Sequence, residues 1–295
     1  MHILVLGGNG YLGSKIIYKL LNSEDNSIVF TKRPTSDLSR LQDIIQGGYS
    51  IKGIPATVDA IETAMEYDHF DLILNMACSY GRKSVLYNNV IEANIDFPLH
   101  ILNSAAERGT RKFLTIGTGL PDHLNMYSFS KKMFSEFGRY YANYHNIDFY
   151  NLKLEMFYGV DEPRNRFIPN TIDKMIKGEE VNTTLGTQHR DIIAINDILY
   201  AITLVIESDL TGYHEIPVGT GVAPAISELV DFIYEHTGKK SIVNKGAIPM
   251  REFEPDCVAD TSILKGLGKW DPKHWKTGIL EMINNAGGMK YETSN

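Results

Sequence analysis

The stretch LVLGGNGYLGSKII, residues 4–17, decides the fold of this chain. An apolar run leads into Gly7, Gly10 and Gly13, and apolar residues then recur at helical spacing. A strand that turns tightly into a helix, with its backbone close to a pyrophosphate, needs glycine at such positions. The N-terminus of the helix adds positive potential for phosphate. We therefore predict a dinucleotide site rather than a glycine-rich turn without a ligand, and its candidate contacts are Gly7, Asn9, Gly10, Tyr11, Leu12 and Gly13.

The chain repeats this order of strand and helix. Short β-rich apolar runs predict strands at residues 2–7, 27–32, 71–77, 112–117 and 148–154. The segments between them carry apolar residues three and four positions apart, as helices packed on a sheet do. This alternation predicts an α/β fold, namely a Rossmann-type doubly wound parallel sheet with helices on both faces.

The alternation changes beyond residue 160, where loops and amphipathic helices follow one another less regularly. We predict that residues 1–162 form a dinucleotide-binding domain, to which residues 190–222 return. Residues 163–189 and 223–295 then form a smaller α+β substrate domain toward the C-terminus.

Composition excludes several functional classes. The chain has 295 residues, of which 43% are hydrophobic and 22% charged, so it can bury a large core. A formal charge of −7, without a stripe of basic residues, argues against a nucleic-acid partner. The two cysteines are far apart and the nine histidines show no ligand spacing, so no metal site is expected. We expect no membrane span and a cytoplasmic location, because no long apolar run or basic leader occurs.

The end of the second predicted strand bears on the choice of dinucleotide. An acidic residue there would bind a ribose 2′-hydroxyl, whereas arginine would pair with a 2′-phosphate. The sequence has Thr31, Lys32 and Arg33, and no carboxylate before Asp37. These three residues favour NADP, since the planar fork of arginine suits a phosphate. The alternative is that Lys32 and Arg33 only form a solvated turn.

A tyrosine and a lysine four residues apart, Tyr127 and Lys131, would share one face of a helix. Reduction of a ketone by hydride needs a proton donor, and a nearby ammonium makes a phenol a better acid by favouring the phenolate. Thr118 follows a central strand at the edge where such sheets bind ligands, and its hydroxyl could hold a carbonyl in line. Thr115 lies inside the strand and is the weaker candidate. The alternative for the pair is the first turn of an ordinary amphipathic helix.

GGNGYLG (7–13), TIGTG (115–119) and YSFSK (127–131) together resemble the extended short-chain dehydrogenase/reductase family that acts on nucleotide sugars. The resemblance extends to LKLEMFYG, HRDIIAINDI and LGKWDPKHWKTGI, so it covers nearly the whole chain. It implies catalytic roles for Thr118, Tyr127 and Lys131, and an organising role for Asn94. Ala77 is a further candidate cofactor contact. Candidate substrate-binding residues are Tyr80, Arg82, Arg190 and Arg251. Alternatives are loop packing for Tyr80 and Arg82, an ion pair with Asp191 or Asp197 for Arg190, and a surface position for Arg251.

Within that family the chain looks most like the CDP-abequose and CDP-paratose synthases, which implies NADPH-dependent reduction of a 4-keto deoxy sugar carried on a nucleotide. Gly119 and Leu120 follow Thr118, so the Asp-Glu pair of the related dehydratases is missing. The alternatives are a nucleotide-sugar 4-epimerase with tightly bound NAD and a non-catalytic dinucleotide-sensing regulator. Family similarity also implies a homodimer through helices near residues 84–108 and 127–145.

Overall fold

The computed structural model of this chain describes residues 1–23, 25–81 and 86–287. Contacts between Cα atoms divide it into two compact units. Unit 1 comprises Met1–Lys153 and Ile202–Ile216, and unit 2 comprises Leu154–Ala201 and the residues from Pro217 onward. The borders differ from the predicted 1–162 and 190–222, because unit 1 ends earlier and takes back a shorter segment. The assignment of cofactor and substrate to separate domains stays a prediction.

Unit 1 alternates strands and helices. Its elements in chain order are β1 (His2–Leu6), α1 (Tyr11–Leu21), β2 (Ser27–Lys32), a 3₁₀ turn (Ser39–Leu41), α2 (Gln42–Gln46), β3 (Ile51–Pro55), α3 (Val58–Tyr67), β4 (Leu72–Asn75), α4 (Tyr87–Ile91), a π-helical turn (Glu92–Asp96), α5 (Phe97–Glu107), β5 (Lys112–Thr118), α6 (Met126–Tyr144) and β6 (Asp148–Leu154).

The later elements include two that cross the border between the units, α8 and β10. In chain order the elements are β7 (Met156–Tyr158), α7 (Phe167–Lys177), β8 (Val181–Thr183), β9 (Ile192–Ala194), α8 (Ile195–Glu207), β10 (Tyr213–Val218), α9 (Ile226–His236), β11 (Val243–Lys245), α10 (Ser262–Leu267) and α11 (Trp275–Ala286). Two parallel strand pairs, β7 with β9 and β8 with β11, accompany these helices.

A seven-stranded sheet organises unit 1, with the strand order β10-β6-β5-β4-β1-β2-β3. β1 pairs in parallel with both β2 and β4, and β4 pairs in parallel with β5. Chain order reverses beside β1, so the carboxyl ends of β1 and β4 flank a topological switch point, where such sheets bind ligands. The predicted Rossmann-type α/β fold is therefore confirmed.

Burial explains why these segments form central strands. The side chains of β4 are all buried, and β1 is buried from Ile3 onward. A strand covered by helices on both faces must be apolar at successive positions rather than at alternate ones. Leu4, Ile73 and Phe113 of neighbouring strands join one core with residues of α3, α5 and α6. Unit 2 has its own core, which includes Ile172, Leu229 and Ile279.

Membrane-spanning helices and groups of metal ligands are both absent from the residues that the structure describes. Across residues 1–23, 25–81 and 86–287, none of the helices combines the length and hydropathy that a membrane span requires. Within the same ranges, no three His, Cys, Asp or Glu side chains are grouped so that they could bind a metal ion.

Candidate active site

The glycine turn after β1 has the shape that its sequence predicts. Gly7 has φ +74°, and a Cβ built on it would lie only 3.0 Å from the backbone of Ala77. A Cβ on Gly13 would lie 2.4 Å from the carbonyl oxygen of Gly7, so α1 can approach the turn closely only with glycine there. Gly10 is exposed and caps α1 without a side-chain hydrogen bond. The first turn of α1 therefore presents its backbone at the carboxyl end of β1.

The other candidates in the turn differ in burial. Tyr11 is buried, whereas Asn9 and Leu12 are half-buried. The guanidinium carbon of Arg40 lies 5.4 Å from the ring centroid of Tyr11, and Lys15 Nζ lies 5.9 Å from it. Two cations that sequence reasoning did not select thus lie beside the glycine turn.

The end of β2 supports the same turn. Thr31 is buried, and its hydroxyl accepts a hydrogen bond from the backbone N–H of Gly7 at 2.9 Å. Lys32 is half-buried and Arg33 is exposed. The first carboxylate after this strand, Asp37, accepts hydrogen bonds from the backbone and hydroxyl of Ser39. Thr31 therefore acts on the shape of the turn, while the cations are nearer to solvent.

Asn94 joins the loop after β4 to the start of α6. Its side chain is buried in the π-helical turn, where Oδ1 accepts the N–H of Ser79 at 2.7 Å. Its Nδ2 donates to the carbonyl of Ser79 at 2.8 Å and to Ser130 Oγ at 2.9 Å. Ser130 Oγ in turn donates to the carbonyl of Tyr127 at 2.8 Å. The organising role predicted for Asn94 therefore has a physical basis in four hydrogen bonds.

Tyr127 lies in the first turn of α6, and that turn is fixed at both sides. The N-cap Asn125 accepts the N–H of Ser128, and Ser128 Oγ accepts the N–H of Asn125, which is a capping box. The ring of Tyr127 is half-buried and packs against Tyr80, with ring centroids 5.0 Å apart. The structure thus brings the predicted substrate residue Tyr80 next to the predicted acid.

Lys131 is a buried cation on the same helix. Only 5% of its surface is exposed, and its Nζ forms no hydrogen bond or ion pair with the residues that the structure describes. Burial lowers the pKa of Lys131 from its ordinary value, since water no longer solvates the ammonium, while Cys78 acts in the opposite direction. An ammonium held in this way is suited to a ligand that supplies oxygen atoms.

Thr118 ends β5 and is half-buried. Its Oγ1 accepts the N–H of Leu120 at 3.3 Å, which leaves the hydroxyl proton to be donated elsewhere. Thr115 is buried, and its Oγ1 accepts a hydrogen bond from Asn75 Nδ2 at 3.1 Å. Thr115, the weaker candidate, thus joins β5 to β4.

Arg190, in unit 2, is a buried cation with several partners. Its Nη1 donates to the carbonyls of His189 and Pro255, and its Nη2 donates to Glu254 Oε1 at 2.7 Å. The ion pair that the sequence left open with Asp191 or Asp197 is formed with Glu254 instead. Asp191 does not pair with Arg190; its carboxylate accepts hydrogen bonds from Thr220, Gly221 and Ala259.

The remaining candidates have simpler surroundings. Arg251 is exposed in an irregular segment, and Ala77 is half-buried beside Gly7. Arg82 lies outside the described residues. Ser79 and Ser130 were missed by sequence reasoning, because backbone and hydroxyl contacts to Asn94 leave no spacing signal. The one available signal was the position of Ser130 directly before Lys131.

Comparison with known proteins is consistent with this geometry. The model of the family described as NAD dependent epimerase/dehydratase matches residues 3–219 of the chain. A CDP-abequose synthase of Salmonella typhimurium is 29% identical, with 96% of this chain and 97% of that protein covered. A CDP-abequose synthase of Yersinia pseudotuberculosis is 26% identical over 80% of this chain and 84% of that protein.

Solved structures share the fold. A UDP-glucuronic acid 4-epimerase of Bacillus cereus superposes with a TM-score of 0.87 at 18% identity, covering 98% of this chain and 100% of that one. A UDP-glucose 4-epimerase of Thermus thermophilus, in complex with NAD, superposes with a TM-score of 0.83 at 20% identity, covering 98% and 99%. At these identities the likeness concerns the fold alone.

Proposed function

The chain belongs to the NAD dependent epimerase/dehydratase family, and from this premise we propose that it reduces the 4-keto group of a nucleotide-linked deoxy sugar with NADPH. One observation carries the proposal: a buried ammonium, Lys131, lies one helical turn from Tyr127 on a helix tied by Asn94 to the loop after β4. The likeness to CDP-abequose synthases supports a CDP-linked 4-keto-3,6-dideoxyhexose as the substrate.

The glycine turn fits a dinucleotide. Gly10 is exposed, and a Cβ built on it would meet only the carbonyl oxygen of Gly7 within 4 Å, so the outer face of the turn is open to a pyrophosphate. Gly7, Gly10 and Gly13 would hold this group through their backbone, with contributions from the neighbouring Asn9, Tyr11, Leu12 and Ala77. When bound there, NADPH would supply the hydride that the carbonyl carbon gains.

Tyr127 donates the proton that the carbonyl oxygen gains. A phenol is a weak acid with an ordinary pKa near 10, so proton transfer at neutral pH needs stabilisation of the phenolate. The Lys131 ammonium provides this stabilisation across one turn of α6, and its burial strengthens the interaction by excluding water. The hydroxyl of Thr118 donates a hydrogen bond to the same oxygen, keeps its proton, and thereby orients the carbonyl. Asn94 maintains the geometry through Ser79 and Ser130.

NADPH is preferred over NADH on the basis of charge at the end of β2. Lys32 and Arg33 lie where a ribose 2′-phosphate would be recognised, and Asp37 is bound to Ser39. Arg40 and Lys15, both close to the ring of Tyr11, add positive charge beside the turn. Four cations in this part of unit 1 support a phosphate-bearing cofactor.

Arg190 and Arg251 would bind the diphosphate of the nucleotide sugar. A guanidinium has five N–H donors, and the contacts of Arg190 with described residues use three of them. The remaining two can donate to phosphate oxygens while the ion pair with Glu254 persists. Tyr80 would contact the sugar, since its ring packs on Tyr127.

A panel of 4-keto nucleotide sugars, incubated with the protein and NADPH, tests the proposal through the loss of absorbance of reduced cofactor. We expect turnover with a CDP-4-keto-3,6-dideoxyhexose, and we expect Tyr127→Phe to lower kcat at least about 100-fold while NADPH affinity changes less than about twofold. Tyr67→Phe is the matched control, because it removes a hydroxyl from an exposed ring at the end of α3.

The same assay separates the alternatives. A protein that retains NAD through purification and interconverts 4-epimers without added reductant would be an epimerase. Absence of NADPH oxidation across the panel would favour the non-catalytic regulator. Wild-type turnover by Tyr127→Phe would contradict the assignment of the acid.

We also propose a homodimer that buries the outer faces of α5 and α6. A groove of about 440 Å³ lies between these helices and is lined by Leu99, Met133, Glu136, Phe137, Tyr140 and Tyr141. Tyr140 and Tyr144 are more than half exposed, which is unusual for adjacent aromatic side chains on one helix. Sedimentation velocity should give a dimer for the wild type and a monomer for Phe137→Asp; a wild-type monomer would contradict this proposal.

A further inference from the structure

We propose that Asn151, through Ser135 and Gly117, is a positioning residue that fixes α6 relative to the carboxyl end of β5. The inference rests on the proposed function, because α6 carries Tyr127 and Lys131 and β5 ends at Thr118. It concerns side chains that contact none of the proposed reacting groups. Each of the contacts lies within unit 1.

Ser135 is the anchor on the helix. It lies one turn beyond Lys131 and is fully buried. Its Oγ is 2.6 Å from the hydroxyl of Tyr213 and donates to Glu215 Oε1 at 2.9 Å, so both β10 residues contact it. Since Ser135 is separated from Tyr127 by two turns of continuous helix, these contacts constrain the orientation of both proposed catalytic side chains.

Asn151 is the connection to the sheet. It is buried in β6, and its Nδ2 donates to Ser135 Oγ at 2.8 Å. Its Oδ1 is also buried and has no hydrogen-bond partner among the described residues. Burying an amide oxygen without a hydrogen bond costs free energy. The hydrogen bond to Ser135 and the packing against Gly117 must therefore hold the side chain of Asn151 in this position.

Gly117 is the point of contact on β5, directly before Thr118. A Cβ built on Gly117 would lie 2.3 Å from Asn151 Oδ1 and 3.1 Å from its Cγ. Only glycine therefore allows the amide to lie against β5. The contacts run without interruption from Thr118 through Gly117 and Asn151 to the helix that carries Lys131.

The charged groups around Ser135 make this connection rigid. Burial alone would raise the pKa of Glu215, but hydrogen bonds from Tyr213 and Ser135 and the charge of Lys132 lower that pKa to about 2. Glu215 thus stays ionised across the range of an enzyme assay. Lys132 bridges Glu215 and Glu136, and Arg139 lies over the ring of Tyr213 at 4.3 Å. A fully ionised, hydrogen-bonded network resists displacement of the helix.

Removing the amide tests the inference. With the sugar that the wild type reduces, Asn151→Ala should lower kcat about tenfold and change the KM for NADPH and sugar less than about twofold. Ser135→Ala removes the same hydrogen bond from the helix side, should give the same pattern, and serves if Asn151→Ala does not fold.

Tyr150→Phe is the matched control on the same strand. Tyr150 is fully buried, and its hydroxyl donates to the carbonyl of Leu210 at 2.6 Å, away from α6. Its removal should lower thermal stability by a comparable amount and leave kcat within about twofold of wild type. Equal kcat for Asn151→Ala, Ser135→Ala and Tyr150→Phe would overturn the inference.

A double variant separates the hydrogen bond from simple packing. In the double variant Gly117→Ala with Asn151→Ala, the added methyl group occupies space that the amide vacates. The double variant should therefore lose less stability than the two single variants lose together. We expect kcat to stay low, since the bond to Ser135 is still missing. Recovery of wild-type kcat would show that only volume matters, and would overturn the positioning role.

Failure of the proposed function gives a different result. If the wild type reduces no sugar in the panel, amide hydrogen exchange still reports on the helix. Asn151→Ala and Ser135→Ala should accelerate exchange in Met126–Tyr144, and Tyr150→Phe should leave it unchanged. Unchanged exchange in all three variants would overturn the inference whatever the reaction is.

Discussion

Lys131 and Arg190 are both buried cations, yet their surroundings are opposite. Lys131 in unit 1 is 5% exposed, and its Nζ forms no hydrogen bond or ion pair with the described residues. Arg190 in unit 2 is 7% exposed and donates to two carbonyls and to Glu254. A buried charge is costly unless it is paired. Arg190 meets that requirement within its own chain, whereas for Lys131 we propose that a bound ligand meets it.

The difference separates a cation whose charge is paired within the fold from one whose charge is not. The hydrogen bonds of Arg190 to atoms of its own chain indicate that its charge stabilises the fold. A buried ammonium with a lowered pKa, such as that of Lys131, is more typical of a functional site. Each cation can be tested by the same substitution to methionine, which keeps the length of the side chain and removes its charge. The two variants should have opposite profiles.

The largest expected effect is the loss of activity in Lys131→Met. Removing the ammonium takes away the stabilisation of the Tyr127 phenolate, so kcat/KM should fall at least about 100-fold. Thermal stability should be unchanged or higher, because an unpaired buried charge is replaced by an apolar side chain. Steady-state kinetics and thermal unfolding at one pH measure both quantities. A stability loss as large as the activity loss would mean that Lys131 is structural.

The activity and the stability of the wild type should change in opposite directions at alkaline pH. Burial lowers the pKa of Lys131, so the ammonium loses its proton at a lower pH than an ordinary lysine does. Activity should therefore fall on the alkaline side before pH reaches the ordinary value of 10.5. Stability should rise over the same window, because the unfolded chain binds the proton that the folded chain has lost.

Arg190→Met should mainly destabilise the protein. Glu254 would keep a largely buried carboxylate without its partner, and two carbonyls would lose a donor, so unfolding should become easier by about 3 kcal/mol. Urea unfolding measures the difference. The double change with Glu254→Met is the control, and it should recover part of the loss because neither charge remains. Unaltered stability together with a raised KM for the nucleotide sugar would assign Arg190 to the substrate alone.

Sequence predicted most of unit 1 because strong local patterns coincide there. The predicted strands 27–32 and 148–154 match β2 and β6 at both ends. β3 and β10 were missed: β3 is short, contains glycine and proline, and has only one fully buried residue, so no apolar run marks it. β10 gains its partner β6 from a distant part of the chain, which local pattern does not reveal.

The candidate site was predictable only where a motif fixes both residue type and spacing. Tyr127, Lys131 and the glycines belong to such motifs, and Asn94 followed from family resemblance. Asn151 and Ser135 belong to no motif, because their contact joins a strand and a helix whose relative placement depends on packing. The Glu254 partner of Arg190, many residues away, was likewise beyond any spacing rule.

Arg33 is the exposed counterpart of the two buried cations and should have a moderate effect. Arg33→Ala should reduce the preference for NADPH over NADH about tenfold, since the proposed contact with the 2′-phosphate is removed while the glycine turn is retained. Fluorescence titration with both cofactors measures the ratio, and added salt should weaken the wild-type preference in the same direction. Arg108→Ala, at the C-cap of α5, is the control. An unchanged ratio of the two affinities would mean that Lys32 and Arg33 only form a solvated turn.

The smallest expected effect concerns Glu162, a buried carboxyl group with one oxygen unpartnered among the described residues. Its side chain is 1% exposed, its Oε1 pairs with Arg166 at 2.7 Å, and its Oε2 has no partner among the described residues. Burial raises its pKa to about 7, against the opposing charge of Arg166. The folded chain therefore binds a proton that the unfolded chain has released, and stability declines as pH rises from the ordinary value of 4.5 to about 7.

Glu162→Gln should remove that decline. At pH 8 the variant should be more stable than wild type by about 1 kcal/mol, and at pH 5 the two should differ little, because the wild-type carboxyl is then protonated. Urea unfolding at both pH values measures the difference, and Glu179→Gln at an exposed position should leave the wild-type dependence intact. Lower stability of Glu162→Gln than of wild type at pH 8 would mean that the ion pair with Arg166, rather than the unpartnered oxygen, determines the energetics. Glu162 would then belong with Arg190, as a charge that the fold satisfies, and not with Lys131.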